Sequence, residues 1–406
     1  MHNIFPSISL EKLQSVLLSA PSQQYTALLA NSPIRVVDSR ENYSKSAILF
    51  SRYRQVQSLI SNSLITSKEV ANRSFLLNDG SVLTESMLFK DDPEHKNIRE
   101  FFFRFFKRVP VSRYSEISNE LSQCYFDLAC RKDRLTDFEL MSGFCRKLPM
   151  SIVMKLIGIP EDTKEQISSL VQTISYGADH CTSSESAERS KHSAFDSFML
   201  ILEEGLAGDW KPNPQSLASE LQNLILNNQI SLSTASSNLG LLLFAGQETT
   251  AALLGSMIFS LASYPHQLDM LRGNRELVDS AIEEVLRLET PLQRATSRTL
   301  TKNFSIDGFT LEEGDELILM IGAANRDPDI FDKPNSFCIS RSPNPHLAFG
   351  KGPYHCIGRQ LAIVEAKSVC NFLLDRFKSP WSISKAVWGQ SSLVRSLDTL
   401  CIDFAS

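Results

Sequence analysis

The feature that most constrains the fold is a long apolar stretch, residues 239–263, with a polar centre. A run of more than about 18 apolar residues is long enough to cross a membrane. Here, however, the polar sequence QETT occupies residues 247–250, and an unpaired charge at the centre of a bilayer is costly and rare. The pattern therefore predicts a helix buried in a large globular core, and its buried carboxylate needs a partner or a function.

Composition sets further limits on the class of protein. Of the 406 residues, 42% are hydrophobic and 21% are charged, which is ordinary for a globular protein with a large core. The formal net charge of −5 at pH 7 excludes a globally basic nucleic-acid binder. The eight cysteines include no CxxC pair, and the first residues lack the basic and apolar segments of a secretory leader. We therefore expect a cytoplasmic protein that binds neither nucleic acid nor membrane.

Hydrophobic periodicity predicts a mainly α-helical fold with small β-sheets. Because no repeat or linker divides the sequence, residues 1–406 are expected to form a single domain. The polar stretch 181–191 is predicted to be a mobile surface segment. The clearest predicted helices are 94–109, 115–132, 233–263, 275–288 and 359–376. Predicted strands are 35–39, 46–51 and parts of 299–320, with turns at Asp307-Gly308 and Glu313-Gly314.

A glycine-rich loop near the end of the chain surrounds a cysteine. Residues 345–358 read PHLAFGKGPYHCIG, and a predicted helix begins directly after them. Glycines permit tight turns, and a helix N-terminus favours a nearby anion, so both features favour a thiolate over a thiol at Cys356. Buried, inert cysteines are also common. The loop alone leaves both interpretations open.

This loop resembles the haem-binding loop of the cytochrome P450 family, whose pattern is Phe-x-x-Gly-x-x-x-Cys-x-Gly. All four fixed positions match. The resemblance implies a cytochrome P450 fold, with haem b buried between the long central helix and the helix that follows the cysteine loop. It also implies that Cys356 is the axial thiolate ligand of the haem iron. The cofactor-binding residues implied within the loop are Phe349, Gly350, Tyr354, Cys356 and Gly358.

Three segments outside the loop resemble the family in the expected order. Glu284 and Arg287 resemble its ExxR helix and are implied to form a buried structural pair, although an ordinary surface ion pair has the same spacing. His95 and Arg99, which share one helical face, resemble residues that hold the haem propionates. Arg298 occupies the place of another propionate ligand.

Tyr354 is a departure from the family, which usually has His or Arg at this position. A tyrosine can donate one hydrogen bond to a propionate but carries no positive charge. Propionate binding is therefore expected to depend mainly on His95, Arg99 and Arg298.

The polar centre of the long helix resembles the oxygen-activation segment of the family. It reads AGQET over residues 245–249. The resemblance implies that Ala245 borders the haem and the substrate pocket. It implies catalytic roles for Glu248, as a proton relay, and for Thr249, as a hydrogen-bonding group during oxygen activation. The alternative is that the Thr249 hydroxyl only bonds the carbonyl four residues earlier and bends the helix.

The resemblance implies a soluble, bacterial-type haem-thiolate monooxygenase. It would insert one oxygen atom from O₂ into a small organic substrate, by hydroxylation or epoxidation, in secondary metabolism. Because no GxGxxG segment for a flavin or nicotinamide follows a predicted strand, a ferredoxin and its reductase are the expected electron donors. The substrate is expected to be a small molecule or a carrier-tethered group, and the protein a monomer.

Two alternatives remain open at this point. The first keeps the fold but changes the chemistry to peroxide-driven oxidation, oxidative coupling or ring formation. The second is a non-catalytic haem sensor or accessory protein. The expected substrate pocket combines apolar and polar side chains. Its candidate residues are Leu241, Leu242, Ala245, Leu292, Gln293, Arg294, Ser391 and Ser392.

Overall fold

The computed structural model describes residues 6–18, 21–38, 45–62, 66–67, 83, 85–130, 138–177, 185–296 and 298–404. The chain falls into two compact units. The first unit comprises Met1–Gly80, His266–Arg359 and Gly389–Arg395. The second unit comprises Ser81–Pro265, Gln360–Trp388 and Ser396–Ser406.

Helices make up most of the described residues. The α-helices are α1 (Leu10–Leu18), α2 (Pro21–Asn31), α3 (Tyr53–Ser61), α4 (Glu94–Arg108), α5 (Val111–Cys130), α6 (Lys147–Ile157), α7 (Lys164–Gly177), α8 (Glu185–Glu204), α9 (Leu217–Leu226), α10 (Leu232–Ser263), α11 (Pro265–Gly273), α12 (Val278–Leu288), α13 (Ile321–Ala324) and α14 (Arg359–Arg376). Short 3₁₀ segments are Met87–Phe89, Glu161–Thr163, Arg275–Leu277 and Gly352–Tyr354, and short π segments are Met141–Cys145 and Gly205–Asp209.

The strands form small sheets within each unit. They are β1 (Ser7–Ser9), β2 (Ile34–Asp38), β3 (Lys45–Phe50), β4 (Thr66–Ser67), β5 (Phe138–Glu139), β6 (Arg298–Leu300), β7 (Phe304–Ile306), β8 (Phe309–Leu311), β9 (Glu316–Leu319), β10 (Ser382–Trp388) and β11 (Leu397–Asp403). The first unit holds the sheet β1-β2-β3-β9-β6-β4 and the hairpin β7-β8, and the second holds β10-β11-β5.

The central strands of the first unit are buried on both faces. Strand β3 pairs antiparallel with β2 and parallel with β9, and successive side chains of a strand point to opposite faces. Ile48 and Phe50 pack in an apolar cluster that includes α3. Ala47 and Leu49 pack in a second cluster, which includes α1 and α2. This arrangement anchors β6, which pairs with β9 and begins at Arg298.

Helix α10 is the long buried helix of the second unit. Its start is capped by Ser231, whose hydroxyl oxygen accepts the backbone N–H of Thr234 at 3.0 Å. Among the described residues it is the one helix long and apolar enough to cross a membrane, and 72% of its most apolar window is buried inside the protein. This burial matches the core helix that the sequence predicts.

The other elements test the secondary-structure predictions. The predicted strands are confirmed by β2, β3 and β6–β9, and both predicted turns contain residues with positive φ. The prediction of a mobile segment over 181–191 is wrong for its second part, because helix α8 begins at Glu185; residues 181–184 lie outside the described residues. The sequence ESAERSK consists largely of good helix formers, and its polarity alone misled the prediction.

Candidate functional site

The cysteine loop of the first unit carries an accessible thiol. Cys356 is exposed, and its backbone N–H donates to the carbonyl of Phe349 at 2.9 Å. The N–H of His355 donates to the carbonyl of Gly352 at 3.1 Å. The loop is thus held by its own backbone, and α14 begins three residues after Cys356.

Two glycines make this tight loop sterically possible. Gly350 and Gly352 have φ values of +68° and +74°, in the left-handed region that disfavours other residues. A Cβ on Gly352 would also lie 2.9 Å from the Cα of Ser61, the last residue of α3. A Cβ on Gly358 would meet the Cys356 sulfur at 4.0 Å. Gly352 is therefore required by both conformation and packing.

Arg298 lies beside this loop, within the same unit. Its side chain is 2% exposed, and the centre of its guanidinium is 4.6 Å from the centroid of the Tyr354 ring. One guanidinium nitrogen, Nη2, donates to the carbonyl of Ile60 at 3.2 Å. The tyrosine therefore contributes a cation–π contact to the buried cation.

Glu284 and Arg287 form a buried ion pair on α12. Arg287 Nε and Nη2 donate to the two Glu284 oxygens at 2.8 and 2.9 Å, and neither residue is exposed to solvent. Arg341 Nε approaches the same carboxylate at 3.0 Å. Arg287 also donates to the carbonyls of Asn325 and Pro334. This network fixes α12 to the segment that leads into the cysteine loop.

Glu283 and His346, which the sequence does not single out, lie next to this network. His346 Nε2 lies 2.5 Å from a carboxylate oxygen of Glu283. The only signal in the sequence is that a second glutamate precedes Glu284, and that signal does not identify a partner.

In the second unit, helix α4 carries the other predicted propionate residues. The His95 side chain is 3% exposed, and its Nδ1 lies 3.1 Å from a carboxylate oxygen of Asp92. Arg99 is half-buried, one turn further along α4. The two side chains share one face of the helix.

Burial is interrupted at the centre of α10. Most of the helix is buried, but Ala245 is exposed, and Glu248 and Thr249 are half-buried. The Thr249 hydroxyl donates to the carbonyl of Ala245 at 2.6 Å. This is the bond to the carbonyl four residues earlier that the alternative interpretation of Thr249 requires. The hydroxyl oxygen nevertheless retains lone pairs that can accept a hydrogen bond. The accessible turn is a surface that can meet a small molecule.

Gln293 and Ser391, two candidate pocket residues, use their polar groups within the first unit. The Gln293 amide accepts from the Tyr25 hydroxyl at 2.7 Å and donates to the carbonyl of Ser391 at 3.2 Å. The Ser391 hydroxyl oxygen accepts the N–H groups of Leu393 and Val394. These contacts stabilise the segment itself.

The remaining pocket candidates differ in their exposure. In the first unit, Leu292 and Arg294 are half-buried, and Ser392 is buried. In the second unit, Leu241 and Leu242 are buried on α10, just before the accessible turn. The predicted residues therefore fall into two groups, one in each unit.

The donor set of the first unit fits an iron porphyrin. Among the described residues, no group of three or more His, Cys, Asp or Glu could hold a bare metal ion. The exposed thiol of Cys356, on a loop in which Gly350 and Gly352 have positive φ, suits an iron whose other ligands come from a macrocycle. The buried Arg298 guanidinium nearby suits the carboxylates of such a group.

Comparisons with known proteins give the family. The family model for cytochrome P450 matches residues 140–384. The biotin biosynthesis cytochrome P450 of Bacillus subtilis (strain 168) is 32% identical over 329 residues, which cover 80% of this chain and 81% of the relative. The cytochrome P450 monooxygenase PikC of Streptomyces venezuelae is 28% identical over 405 residues, which cover 98% of this chain and 94% of PikC.

A solved structure supports the fold. The crystal structure of P450BioI in complex with hexadec-9Z-enoic acid ligated acyl carrier protein has a TM-score of 0.83 and 28% identity, and the match covers 96% of this chain and 99% of that protein. The predicted fold class, mainly α with small β-sheets, is confirmed. The chain belongs to the cytochrome P450 family and is a monooxygenase that uses haem b with a cysteine thiolate as axial ligand.

Proposed function

We propose that this enzyme inserts one oxygen atom from O₂ into a C–H or C=C bond of a small organic substrate in secondary metabolism. The observation that carries the proposal is the interrupted burial of α10, where Ala245 is exposed and Glu248 and Thr249 are half-buried. An acid and a hydroxyl on one accessible turn can deliver protons. Reduction of O₂ during a monooxygenase reaction consumes protons, so this turn suits that chemistry.

Cys356 supplies the axial thiolate in this proposal. Its exposed thiol lies on a loop closed by the hydrogen bond from the Cys356 N–H to the carbonyl of Phe349, and Gly350 has the positive φ that this turn requires. When bound, haem b supplies the redox chemistry. The protein holds the group, orients it and controls the access of water and protons.

Four side chains are proposed to hold the haem propionates. In the first unit, Arg298 offers a buried cation, and Tyr354 offers a hydroxyl and the ring beside that cation. In the second unit, His95 offers a buried imidazole, whose Nδ1 lies 3.1 Å from a carboxylate oxygen of Asp92. Arg99 offers a second cation on the same face of α4. Charge-assisted bonds of this kind are about twice as strong as neutral ones.

Glu248 is proposed to move the protons, and Thr249 is proposed to orient the group that carries them. The Thr249 hydroxyl donates its only hydrogen to the carbonyl of Ala245. Its oxygen therefore acts as an acceptor, which orients a proton-bearing group at this turn. Glu248, on the same turn, exchanges protons with solvent and replaces each proton that is consumed.

The substrate is proposed to contact mainly apolar side chains, including Leu241, Leu242 and Leu292. P450BioI has been crystallised with a fatty acid attached to an acyl carrier protein, and a carrier-tethered acyl group is one form that we propose for the substrate here. Ser392 and Arg294 are further polar candidates, whereas the Gln293 amide accepts from Tyr25 and the Ser391 hydroxyl oxygen accepts from Val394.

We also propose a cytoplasmic monomer, with residues 1–406 forming a single haem domain, that receives electrons from a ferredoxin and its reductase. Exposed Lys96 and Lys107 on α4 provide positive charge for an acidic partner. Arg359 is a weaker candidate for this surface, because its guanidinium donates to Glu283 at 2.7 Å.

A combined isotope and coupling experiment tests the reaction. Purified enzyme with ferredoxin, reductase and NAD(P)H is supplied with ¹⁸O₂, and one labelled oxygen atom is expected in the product. Thr249→Ala should lower the product formed per NAD(P)H consumed by roughly 10²-fold, because proton delivery is worth at least that much.

Thr173→Ala is the matched control. The Thr173 hydroxyl makes the same bond to the carbonyl four residues earlier, Ser169, at 3.0 Å on the exposed surface of α7. Its loss should leave coupling unchanged. Unlabelled product, or full coupling in Thr249→Ala, would contradict the proposed reaction.

A further inference from the structure

Glu283 accepts hydrogen bonds from two residues that flank the cysteine loop. His346 Nε2 donates to one carboxylate oxygen at 2.5 Å, and Arg359 Nη2 donates to the other at 2.7 Å. His346 precedes Cys356 by ten residues, and Arg359 follows it by three. One carboxylate on α12 therefore binds both ends of the loop that carries the thiol.

The imidazole of His346 is held at both nitrogens. Its Nδ1 accepts the backbone N–H of Ala348 at 3.2 Å, so the proton on Nε2 is the one donated to Glu283. The side chain is 5% exposed, and its ring centroid lies 6.2 Å from that of Phe349. A buried ring with both nitrogens engaged fixes the backbone that enters the loop.

Arg359 acts at the other end of the loop. Its guanidinium lies 5.5 Å from the centroid of the Phe349 ring, within the range of a cation–π contact. The carbonyl of Phe349 accepts the N–H of Cys356. Both partners of Glu283 therefore approach the residue that bonds the cysteine backbone.

The charge of Glu283 strengthens this arrangement. Burial alone raises the pKa of Glu283, but its interactions with His346 and Arg359 outweigh burial, and the pKa lies below its ordinary value. Both hydrogen bonds are therefore made to an ionised carboxylate, and such bonds are shorter and stronger than neutral ones.

We propose that Glu283 is a positioning residue for the haem ligand, which acts through His346, Arg359 and Phe349 to hold the Cys356 sulfur in the direction that iron binding requires. This inference rests on the proposed function, in which Cys356 is the thiolate ligand. Glu283 differs in its contacts from its neighbour Glu284, which binds residues 338–344.

Glu283→Gln tests the inference, because it removes the charge and keeps the shape of the side chain. Reduced, carbon monoxide-treated wild-type protein is expected to show the red-shifted Soret band of thiolate-bound haem. The variant should lose part of this band, and it should release haem about tenfold faster, as is typical when an outer partner of a metal ligand is removed.

Glu276→Gln is the matched control. It makes the same chemical change at an exposed glutamate in the 3₁₀ segment before α12, and its spectrum and haem release should equal those of the wild type. Arg359→Gln weakens the same arrangement from a side chain that is 47% exposed, where a substitution is better tolerated. It provides the test if Glu283→Gln does not fold. The double variant should show no more than the effect of Glu283→Gln alone, because that change already weakens the bond to Arg359.

A Glu283→Gln protein with the spectrum and the haem release of the wild type would overturn the inference. If Glu283→Gln does not fold, the same result in Arg359→Gln would overturn it. Absence of the thiolate band from the wild-type protein would instead overturn the proposed role of Cys356. The two failures are therefore distinguishable.

Discussion

Two fully buried carboxyl groups, one in each unit, are accommodated in opposite ways. Glu284 accepts hydrogen bonds from Arg287, Arg341 and the backbone N–H of Cys338. Glu365 on α14 is 1% exposed, and its Oε1 accepts no hydrogen bond from the described residues. Burial raises the pKa of Glu365 to about 8. One group is compensated by donors, whereas the other is neutral at pH 7.

The difference shows where the fold uses a buried charge. The donors of Glu284 lie on the segment that leads into the cysteine loop, so this charged cluster fixes a segment that the site depends on. Glu365 bonds no comparable segment through Oε1, and its protonation avoids the several kcal/mol that an uncompensated buried charge costs. Three predictions test this comparison.

The largest effect is expected from Arg287→Met. The change leaves the Glu284 carboxylate buried with fewer donors, and the free energy of unfolding should fall by about 3–5 kcal/mol. Arg113→Met is the control, because Arg113 and Glu116 have the same sequence spacing but are exposed; there the loss should stay below about 1 kcal/mol. Denaturant unfolding of the haem-loaded proteins measures both values, and equal losses at the two sites would refute the comparison.

Glu365→Gln should change how stability depends on pH. The carboxyl group of Glu365 has an ordinary pKa of 4.5 and a folded value of about 8, so the unfolded chain releases its proton first as the pH rises. Stability of the wild type therefore falls between about pH 4.5 and 8. The glutamine of the variant cannot titrate. The difference in the free energy of unfolding between variant and wild type should therefore shift in favour of the variant by on the order of 3 kcal/mol from pH 5 to pH 8. Parallel pH profiles would show that Glu365 is solvated or paired.

The smallest effect is expected at Tyr354, which compensates a buried cation with a ring. Tyr354→Leu removes both the hydroxyl and the cation–π contact to Arg298. Relative to Tyr354→Phe, it should weaken haem retention by roughly 1 kcal/mol, or about fivefold. Tyr354→Phe keeps the ring and serves as the control. Haem transfer to an excess of a haem-free acceptor protein measures both rates. Equal retention in the two variants would mean that the ring contributes nothing.

The sequence predicted elements that carry strong local signals. The sequence predicts helix α14 over 359–376, and the helix begins and ends at those residues. The prediction succeeds because the glycine-rich loop before residue 359 marks where the helix must begin. The fold class followed from a motif around Cys356 together with the long apolar helix. Both signals lie within short stretches of the chain.

Contacts between distant residues could not be predicted in the same way. Glu283 and His346 are 63 residues apart, and nothing in either local sequence identifies the other. The Gln293 amide was expected to meet a substrate, but the structure places it against Tyr25, which is 268 residues away. Such pairings depend on how the elements pack, and periodicity carries no information about that.

The Gln293 amide bonds Tyr25 and the Ser391 hydroxyl oxygen accepts from Leu393 and Val394, and these contacts have a consequence for selectivity. Polar groups that bond a substrate can reject an analogue by factors of about 10⁴, whereas apolar walls distinguish one methylene by only about 10- to 200-fold. In the proposed function the substrate is recognised mainly through apolar side chains, and such an enzyme is suited to oxidise a series of compounds of similar size.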